Sequence, residues 1–167
     1  MIETKSLKEI SVLITKGTTP TTIGCSFENS GINYVKAESI GAGRELDRSK
    51  FSYISETTHN KLKRSQIQSR DILFSMAGFY LGKTAIVTEN DVPANTNQAV
   101  AIIRINPVMA NPDYVYYWLN QPQIKSFVNS SSSQSAQPNI NLKQIGNIEL
   151  RCPDLDVQNR VVSFLLS

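Results

Sequence analysis

Residues 71–87 constrain the fold of this chain more than any other segment. They read Asp-Ile-Leu-Phe-Ser-Met-Ala-Gly-Phe-Tyr-Leu-Gly-Lys-Thr-Ala-Ile-Val. An apolar run comes before the two glycines, and the run Thr-Ala-Ile-Val follows them. Apolar and β-branched residues on both sides of a glycine-containing break are typical of two strands joined by a turn. The segment therefore predicts a strand, a glycine turn and a second strand.

The same segment resembles a phosphate-binding P-loop but lacks its spacing. A P-loop has four residues between its first glycine and its Gly-Lys-Ser/Thr element, so that backbone N–H groups surround the phosphates. Only three residues separate Gly78 from Gly82. A P-loop also opens a helix, whereas the residues after Lys83 favour a strand. These differences argue against ATP binding and leave Lys83 as a candidate contact to a different anion.

The gross properties of the chain are those of one globular domain. It has 167 residues and a net charge of +3, a length that suits a single domain. Its apolar runs fall short of the roughly 20 residues of a membrane span, and residues 1–9 lack the apolar core of a signal peptide. We therefore expect a cytoplasmic protein with no membrane partner. Cys25 and Cys152 are far apart and form no CxxC motif, which predicts two free thiols and no metal site.

Positive charge is concentrated in the middle of the chain. Residues 36–83 contain nine Lys/Arg and five Asp/Glu, which leaves eight bases and nine acids elsewhere. This segment is therefore +4 and the remainder is −1. Such a bias suits binding to a polyanion. Many solvated surfaces carry as much charge, so the bias alone does not decide the function.

Local patterns predict an α+β fold with a mixed, twisted, barrel-like β core and peripheral helices, ending in the start of a C-terminal helix. The first helix is expected at residues 6–14, because Leu7, Ile10 and Ile14 share a stripe and Ser6 and Glu9 match a capping box. Gly17 is expected to end it. Further helices are predicted at 55–64, 112–119, 124–129 and 141–145 and after 153; strands are predicted at 32–37, 72–75, 84–87, 98–105 and 148–150; and a loop is predicted at 41–52.

The residues for a catalytic centre are scarce, so we expect no enzyme. His59 is the only histidine, and it falls on a polar predicted helix, which indicates a solvated surface position. The sequence Asn-Pro-Asp-Tyr at 111–114 resembles an amino-methyltransferase motif but has Asp where the second proline belongs. Helix capping by Asn111 already accounts for it. The Pro-Asp pair at 153–154 lacks the Glu-x-Lys that follows it in nucleases.

Four polar loops, expected at residues 16–22, 44–50, 95–98 and 131–137, supply the candidate DNA contacts. Asn and Gln pair with adenine and Arg or Lys with guanine, while hydroxyl and backbone N–H groups hold phosphates. Tyr80, on the glycine turn, is expected either to stack on a base or to close the turn onto the core. The candidate DNA-binding residues are Lys16, Thr18, Thr19, Thr21, Lys36, Arg44, Arg48, Lys50, Tyr80, Lys83, Asn95, Asn97, Gln98, Ser133, Gln134 and Gln137.

Several segments along the chain carry a family resemblance. They are Leu-Lys-Glu-Ile at 7–10, Lys-Gly-Thr-Thr-Pro at 16–20, Tyr-Val-Lys-Ala-Glu-Ser-Ile at 34–40, the two halves of 71–87, Ala-Asn-Thr-Asn-Gln-Ala-Val-Ala at 94–101, Tyr-Tyr-Trp-Leu at 116–119, Gln-Pro-Asn-Ile-Asn-Leu at 137–142 and Asp-Val-Gln-Asn-Arg at 156–160. In this order and spacing, the chain resembles a target recognition domain of the specificity (S) subunit of type I restriction–modification systems.

The resemblance implies a non-catalytic module that reads one half of a bipartite target in double-stranded DNA. It implies methyltransferase (M) subunits, which bring S-adenosylmethionine, and restriction (R) subunits, which use ATP, as partners. The chain itself is expected to hold no cofactor. Residues 1–152 would form the recognition domain, and residues 153–167 would begin the conserved spacer or dimerisation helix. The side chains expected to face a partner helix are Leu155, Val162, Leu165 and Leu166.

The family pattern leaves alternatives open. Family subunits usually hold two recognition domains, and this chain holds one, so a homodimer or a second recognition domain is a possible partner. A natural half-subunit, a truncated gene and an excised domain are all compatible with the sequence. Two other functions remain: recognition in another methyltransferase–nuclease system, and a protein-interaction module whose basic face is incidental.

Overall fold

The computed structural model describes residues 2–41 and 43–167. Within these ranges the protein has the expected α+β fold, and every sheet is open. The strands are β1 (Glu3–Ser6), β2 (Ser11–Lys16), β3 (Ile32–Val35), β4 (Ser52–Ile54), β5 (Ile72–Ser75), β6 (Thr84–Ile86), β7 (Ala94–Thr96), β8 (Val100–Ile105) and β9 (Glu149–Cys152). The α-helices are α1 (Glu56–Lys61), α2 (Pro112–Leu119), α3 (Pro122–Ser131), α4 (Leu142–Gly146) and α5 (Leu155–Leu166).

A four-stranded antiparallel sheet, in the order β2-β8-β5-β6, forms the centre of the molecule. Strands β5, β6 and β8 of this sheet are buried on both faces, which explains why β5 and β8 read as nearly continuous apolar runs. Ile72, Phe74 and Ile103 face a core shared with helices α2, α3 and α4. Leu73 and Ile102 face the opposite core, which the three-stranded sheet completes.

The three-stranded sheet has the order β4-β3-β7 and is mixed, because β3 runs antiparallel to β4 and parallel to β7. Its residues Val35 and Ala94 are fully buried against the central sheet. A separate pair of strands, β1 and β9, brings the two ends of the chain together. Together the sheets place β3 and β7 directly behind the central sheet.

Helix α2 joins β9 and α5 to the central sheet. Its Trp118 Nε1 donates to the carbonyl oxygen of Glu149 at 3.0 Å, and its Tyr114 hydroxyl donates to that of Arg151 at 2.7 Å. Gln158 of α5 is fully buried and accepts from the backbone N–H of Asn111 at 2.9 Å. These contacts fix the start of α5 on the body of the domain.

Several predicted elements are confirmed. Residues 71–87 form β5, a glycine turn containing one turn of 3₁₀-helix, and β6. The Asn111 side chain accepts from the backbone N–H of Asp113 at 2.8 Å and begins α2 with proline at the first position, as predicted. Ser55 caps α1 in the same way through Thr58 at 3.1 Å. Both cysteines are free thiols.

The predicted helix at residues 6–14 is wrong. β1 ends at Ser6 and β2 begins at Ser11. The capping-box bonds do form, from Ser6 N–H to Glu9 Oε2 at 2.6 Å and from Glu9 N–H to Ser6 Oγ at 3.2 Å, but they close a turn. Partner strands β9 and β8 satisfy the flanking backbone groups, so tertiary pairing overrides the helical spacing of the apolar residues.

Besides β1 and β2, two short strands are absent from the sequence prediction. β4 begins at Ser52, at the end of the predicted loop, and β7 occupies Ala94–Thr96, which was expected to be partly loop. Each has three residues, which is too short for a recognisable alternation of apolar and polar side chains. No helix in the described ranges is long and apolar enough to cross a membrane.

Candidate nucleic-acid interface

Three of the predicted polar loops meet at one end of the central sheet. Because neighbouring strands are antiparallel, β2 and β5 end where β8 and β6 begin. The register places Lys16 opposite Ala101 and Ser75 opposite Val100. We call this region the loop end; it comprises the residues after β2, those before β8, the turn between β5 and β6, and the serine-rich loop at 131–137 that adjoins this turn. Neighbouring strands are about 4.8 Å apart, so the loops form one continuous surface.

Backbone hydrogen bonds join the loop after β2 to the loop before β8. Gly17 N–H donates to the carbonyl oxygen of Asn97 at 3.0 Å, and Thr18 N–H donates to that of Thr96 at 3.1 Å. The Thr19 hydroxyl also contacts Gln98 Oε1 at 2.5 Å. The structure therefore brings together two groups of predicted DNA contacts that lie about eighty residues apart in the sequence.

Gly17 is needed for this close approach and does not end a helix, as was predicted. A Cβ atom built on it would lie 1.8 Å from the carbonyl oxygen of Thr96. Any side chain would therefore push the two loops apart.

The glycine turn between β5 and β6 projects from the loop end. Gly78 and Gly82 have φ values of 71° and 84°, which favour glycine. Between them, the Phe79 side chain is 87% exposed, while Tyr80 is half-buried. The Lys83 ammonium lies 5.8 Å and 5.7 Å from the centroids of these two rings. Sequence reasoning selected Tyr80 and missed the more exposed Phe79, because local sequence does not show which ring packs inward.

The serine-rich loop after α3 lies beside this turn. Gly78 N–H donates to the carbonyl oxygen of Pro138 at 2.9 Å, and Ile140 N–H donates to that of Met76 at the same distance. These bonds position the loop at the loop end. Its predicted contact residues, all exposed, are Ser133, Gln134 and Gln137.

Further basic side chains border the same region. Lys36 follows β3, whose last residue, Val35, accepts at its carbonyl oxygen from the Thr96 hydroxyl at 2.6 Å. Lys50 lines a cavity with Tyr80 and Lys83. Lys16 and Thr21 are exposed on the loop after β2.

Arg64 belongs to this border as well. Its guanidinium donates to the Thr18 hydroxyl at 3.3 Å, and the side chain is exposed. It was absent from the predicted contacts, although it lies in the basic segment, because only the folded chain brings it to the loop end.

Two predicted DNA-binding arginines are instead paired with buried carboxylates. Arg44 Nη2 contacts Asp113 Oδ1, and Arg70 Nη1 contacts the other carboxylate oxygen at 2.9 Å. Arg48 Nε lies 2.7 Å from Asp91 Oδ1. These ion pairs lie away from the loop end, on the outer edge of β6 and before β7. In the structure Arg44 and Arg48 therefore form ion pairs within the fold and do not join the loop end.

The predictions for Asn95 and His59 are corrected by the structure. Asn95 lies on β7 and is fully buried, and His59 on α1 is also buried. Asn95 Nδ2 lies 3.2 Å from His59 Nδ1, and Asn95 Oδ1 accepts from the Ser65 hydroxyl at 2.6 Å. Burial lowers the pKa of His59 below its ordinary value. Asn95 thus connects α1 to the sheets, and its amide is buried away from the surface of this chain.

The exposed apolar side chains of the C-terminal helix α5 differ from those predicted to face a partner helix. Val162 is buried inside this chain, and Leu155 is partly buried, whereas Leu165 and Leu166 are exposed. Phe164, at 79% exposure, was not predicted and is the most exposed apolar side chain of this helix. The exposed apolar surface of α5 is therefore concentrated in its last turn.

The hydroxyl of Tyr34 supports the loop end from below. It donates to the carbonyl oxygen of Thr18 at 2.9 Å. Burial raises the pKa of Tyr34 far above its ordinary value, so the hydroxyl keeps the proton that this bond requires.

Amide, hydroxyl and ammonium groups thus gather at one end of the central sheet and give it a polar, positively charged surface. The sequence matches the family described as type I restriction modification DNA specificity domain over residues 2–167. The chain therefore belongs to this family. It is similar to the specificity subunit of the type I restriction enzyme EcoBI of Escherichia coli, with 30% identity over 134 residues. That match covers 79% of this chain but only 27% of the relative.

Solved structures show the same fold. The HsdS subunit from Thermoanaerobacter tengcongensis matches with a TM-score of 0.74 at 18% identity, covering 99% of this chain and 41% of that one. A type I restriction-modification S subunit from M. genitalium matches with a TM-score of 0.65 at 11% identity, covering 99% and 38%. A chain from a study of complex assembly and conformational transition in the type I R-M system matches with a TM-score of 0.70 at 19% identity. That match covers 98% of this chain and 37% of the other. This chain thus spans less than half of each.

Proposed function

We propose that this chain reads one half of a bipartite DNA target for a type I restriction–modification system, and that it does so with the loop end. The observation that carries this proposal is the meeting of the three predicted loops at one end of the central sheet, bordered by basic side chains. A rigid sheet whose central strands β5 and β8 are buried on both faces suits this task, because base recognition needs donors and acceptors in fixed positions.

The loop end contains groups suited to both kinds of DNA contact. Lysine and arginine side chains neutralise backbone phosphates, whereas amide side chains distinguish base edges in the major groove. The proposed phosphate contacts are Lys16, Lys36, Lys50, Arg64 and Lys83. The proposed contacts to bases or adjacent phosphates are Thr18, Thr19, Thr21, Asn97, Gln98, Ser133, Gln134 and Gln137, with Phe79 and Tyr80 as aromatic contacts.

Gln98 illustrates how the surface is organised before DNA arrives. Its Oε1 atom accepts from the Thr19 hydroxyl at 2.5 Å, and the side chain is exposed. With the oxygen already used, the amide nitrogen remains for donation to N7 or O6 of a purine or to O4 of thymine. A side chain already oriented loses less conformational entropy on binding.

The proposal extends to the partners of the family. The chain would perform no catalysis itself and would bring M and R subunits to the target in the cytoplasm. Residues 1–152 would serve as the recognition domain. Residues 153–167 would start the spacer, and the exposed last turn of α5 would pack on an apolar helix, from either a second recognition domain or a second copy of this chain.

Binding to a library of duplexes tests this function. The chain, alone and with its M subunit, is mixed with randomised duplexes, the bound fraction is sequenced, and affinity is measured by fluorescence anisotropy between 50 mM and 200 mM salt. We expect an enriched half-target and a logarithmic salt slope of about −0.9 per phosphate neutralised. Binding that is absent under both conditions, or insensitive to salt and sequence, would reject the proposal and favour a protein-interaction module.

A further inference from the structure

Lys125 is a half-buried lysine that lies against the glycine turn. It was not among the residues predicted from the sequence to bind DNA. It is on α3, and its ammonium donates to the carbonyl oxygen of Gly82 at 2.7 Å. The same helix packs closely on the turn, because a Cβ atom built on Gly82 would lie 3.4 Å from a methyl group of Val128. Helix α3 thus fixes the Lys125 ammonium beside the loop end.

A polar cavity of about 260 Å³ separates Lys125 from Lys83. Thr84 and Asn120 form part of its wall, and the Asn120 amide donates to the Thr84 hydroxyl at 2.8 Å. Gly41 forms another part, where a Cβ atom would lie 2.3 Å from Cδ of Lys83. Water occupies about 30 Å³ per molecule in the liquid, so the cavity has room for a tetrahedral oxyanion and several waters.

The two ammonium groups lack a carboxylate partner among the described residues. The ion pairs found there include neither Lys83 nor Lys125. Burial lowers the pKa of Lys125, and the positive charge of Lys83 lowers it further. Like charges held close together repel each other, so an anion in the cavity would stabilise this arrangement.

Nearby acids do not supply that anion. Glu38 and Asp47 line the adjacent cavity that Lys83 also borders. Each lies nearer to another lysine, with Glu38 at 3.8 Å from Lys36 and Asp47 at 4.0 Å from Lys50.

We propose that Lys83 and Lys125 together hold one phosphate group of the DNA backbone. This inference rests on the proposed function, and it adds a specific phosphate seat to it. The seat adjoins the DNA surface, because Lys83 also lines the neighbouring cavity with Tyr80 and Lys50. Helix α3 would therefore take part in orienting the duplex on the loop end.

Salt-dependent DNA binding by lysine variants tests the seat. The variants are Lys83→Met, Lys125→Met and the double variant, and Lys125→Arg tests retention of charge. Each single methionine variant is expected to reduce the salt slope by about 0.9. Between 50 mM and 200 mM salt, its affinity would then fall about 3.5-fold less than that of the wild type. The double variant is expected to reduce the salt slope by no more than either single variant does, because both lysines hold the same phosphate.

The control is Lys8→Met, which removes an exposed lysine before β2, at the opposite end of that strand from Lys16. It should keep the wild-type slope. If Lys125→Met lowers stability, Lys83→Met on the turn still provides the test. DNA binding with an unchanged salt slope in both single variants would overturn the seat and leave the proposed function intact. Absence of DNA binding by the wild type would instead overturn both.

Inorganic phosphate distinguishes a free anion from the DNA backbone. Thermal unfolding is followed in sodium phosphate and in sodium chloride of equal ionic strength. Phosphate that raises the melting temperature of the wild type but not of Lys125→Met, together with a reduced DNA slope in that variant, supports the seat. Stabilisation by phosphate without any change in the DNA slope would show a site for free phosphate and overturn the DNA assignment.

Discussion

The backbone N–H of Gly17 donates to the carbonyl oxygen of Asn97 over 3.0 Å, and this bond holds the loop after β2 against the loop before β8. The next residue repeats the contact, from Thr18 N–H to Thr96 at 3.1 Å. Since the two loops carry separate groups of candidate DNA contacts, the shape of the binding surface depends on a backbone contact and on the absence of a side chain at residue 17.

Gly17→Ala is therefore expected to separate the two loops. The added Cβ atom would lie 1.8 Å from the Thr96 carbonyl oxygen, and overpacking of this kind costs about 1–3 kcal/mol. Urea denaturation should show this loss, and anisotropy should show weaker DNA binding. Gly146→Ala, at the end of α4 and beside Lys8, is the matched control, because its Cβ atom would lie at an ordinary contact distance of 3.5 Å from Cβ of Lys8. Wild-type stability and affinity in Gly17→Ala would show that the close approach is dispensable.

Charge and amide substitutions at the loop end should have different effects. Lys16→Ala is expected to weaken binding to all duplexes alike and to reduce the salt slope by about 0.9, because it removes a phosphate contact. Gln134→Ala is expected to relax preference at one base pair, which amounts to about 1–3 kcal/mol of discrimination. Anisotropy on the selected half-target and its single-base variants measures both. A uniform loss in both variants would assign Gln134 to the backbone as well.

Asp113 is expected to contribute stability and not DNA affinity. Its buried carboxylate contacts both Arg44 and Arg70, so Asp113→Asn would leave two guanidinium groups facing each other without a counter-charge. Loss of a partner for a charged, hydrogen-bonded group costs about 1–3 kcal/mol, which urea denaturation can measure. Asp156→Asn, at the exposed first turn of α5, is the control. A change in DNA affinity larger than the change in stability would contradict this prediction and indicate that Arg44 contacts DNA.

Stability should decrease as the pH falls below about 6.5, because of His59. Burial lowers the pKa of its ring from the ordinary value of 6.5. Below that value the unfolded state binds more protons than the folded state, so the free energy of unfolding falls with pH until the folded pKa is reached. Protonation of Nδ1 would also place a second donor against Asn95 Nδ2, now 3.2 Å away. Urea denaturation between pH 7.5 and pH 5 should show this decline.

The attribution is testable because the chain has one histidine. His59→Gln keeps a polar side chain next to Asn95 and removes the titration. This variant should be less stable at pH 7.5 and should lose the pH dependence between 6.5 and about 5, above the range in which ordinary carboxylates titrate. An unchanged pH dependence would assign it to other groups.

The parts of the fold that follow from local sequence are those predicted correctly. The glycine turn of residues 71–87 and the cap at Asn111 depend on neighbours within a few residues, so their patterns predict them. The spacing of Leu7, Ile10 and Ile14 fits a helix equally well, yet these residues form a turn and a strand. Pairing with β8 and β9, more than eighty residues away, decides between the two conformations.

The candidate site also has features that local sequence predicts and others that depend on distant residues. The sequence selected the polar loops as groups, and the structure brings three of the four together. It could not show which members point inward. Asn95 is buried through bonds to residues 30 to 36 positions away, and Arg44 is paired with a carboxylate 69 residues away. Lys125 escaped notice because only the packing of α3 on the glycine turn gives it significance.

A substitution at Phe79 separates an effect on DNA binding from an effect on folding more clearly than the other substitutions do. An apolar ring that is 87% exposed makes little contact with the core, so folding does not account for its position. It lies at the tip of the glycine turn, with the Lys83 ammonium 5.8 Å from its centroid. Aromatic side chains contact the methyl group of thymine or insert between base steps, and the neighbouring Lys83 is the lysine proposed above to hold a backbone phosphate.

Phe79→Ala should therefore keep the free energy of unfolding and reduce the affinity for the selected half-target by about 1–3 kcal/mol, the range seen for aromatic stacking on bases. Phe79→Tyr should retain most of the affinity, because the ring remains. Val108→Ala, which truncates another highly exposed apolar side chain beyond the opposite end of β8, is the control. Urea denaturation and anisotropy separate the two effects. If Phe79→Ala binds DNA as tightly as Val108→Ala does, the Phe79 ring stays in solvent in the complex. Tyr80 would then be the remaining candidate for the aromatic contact.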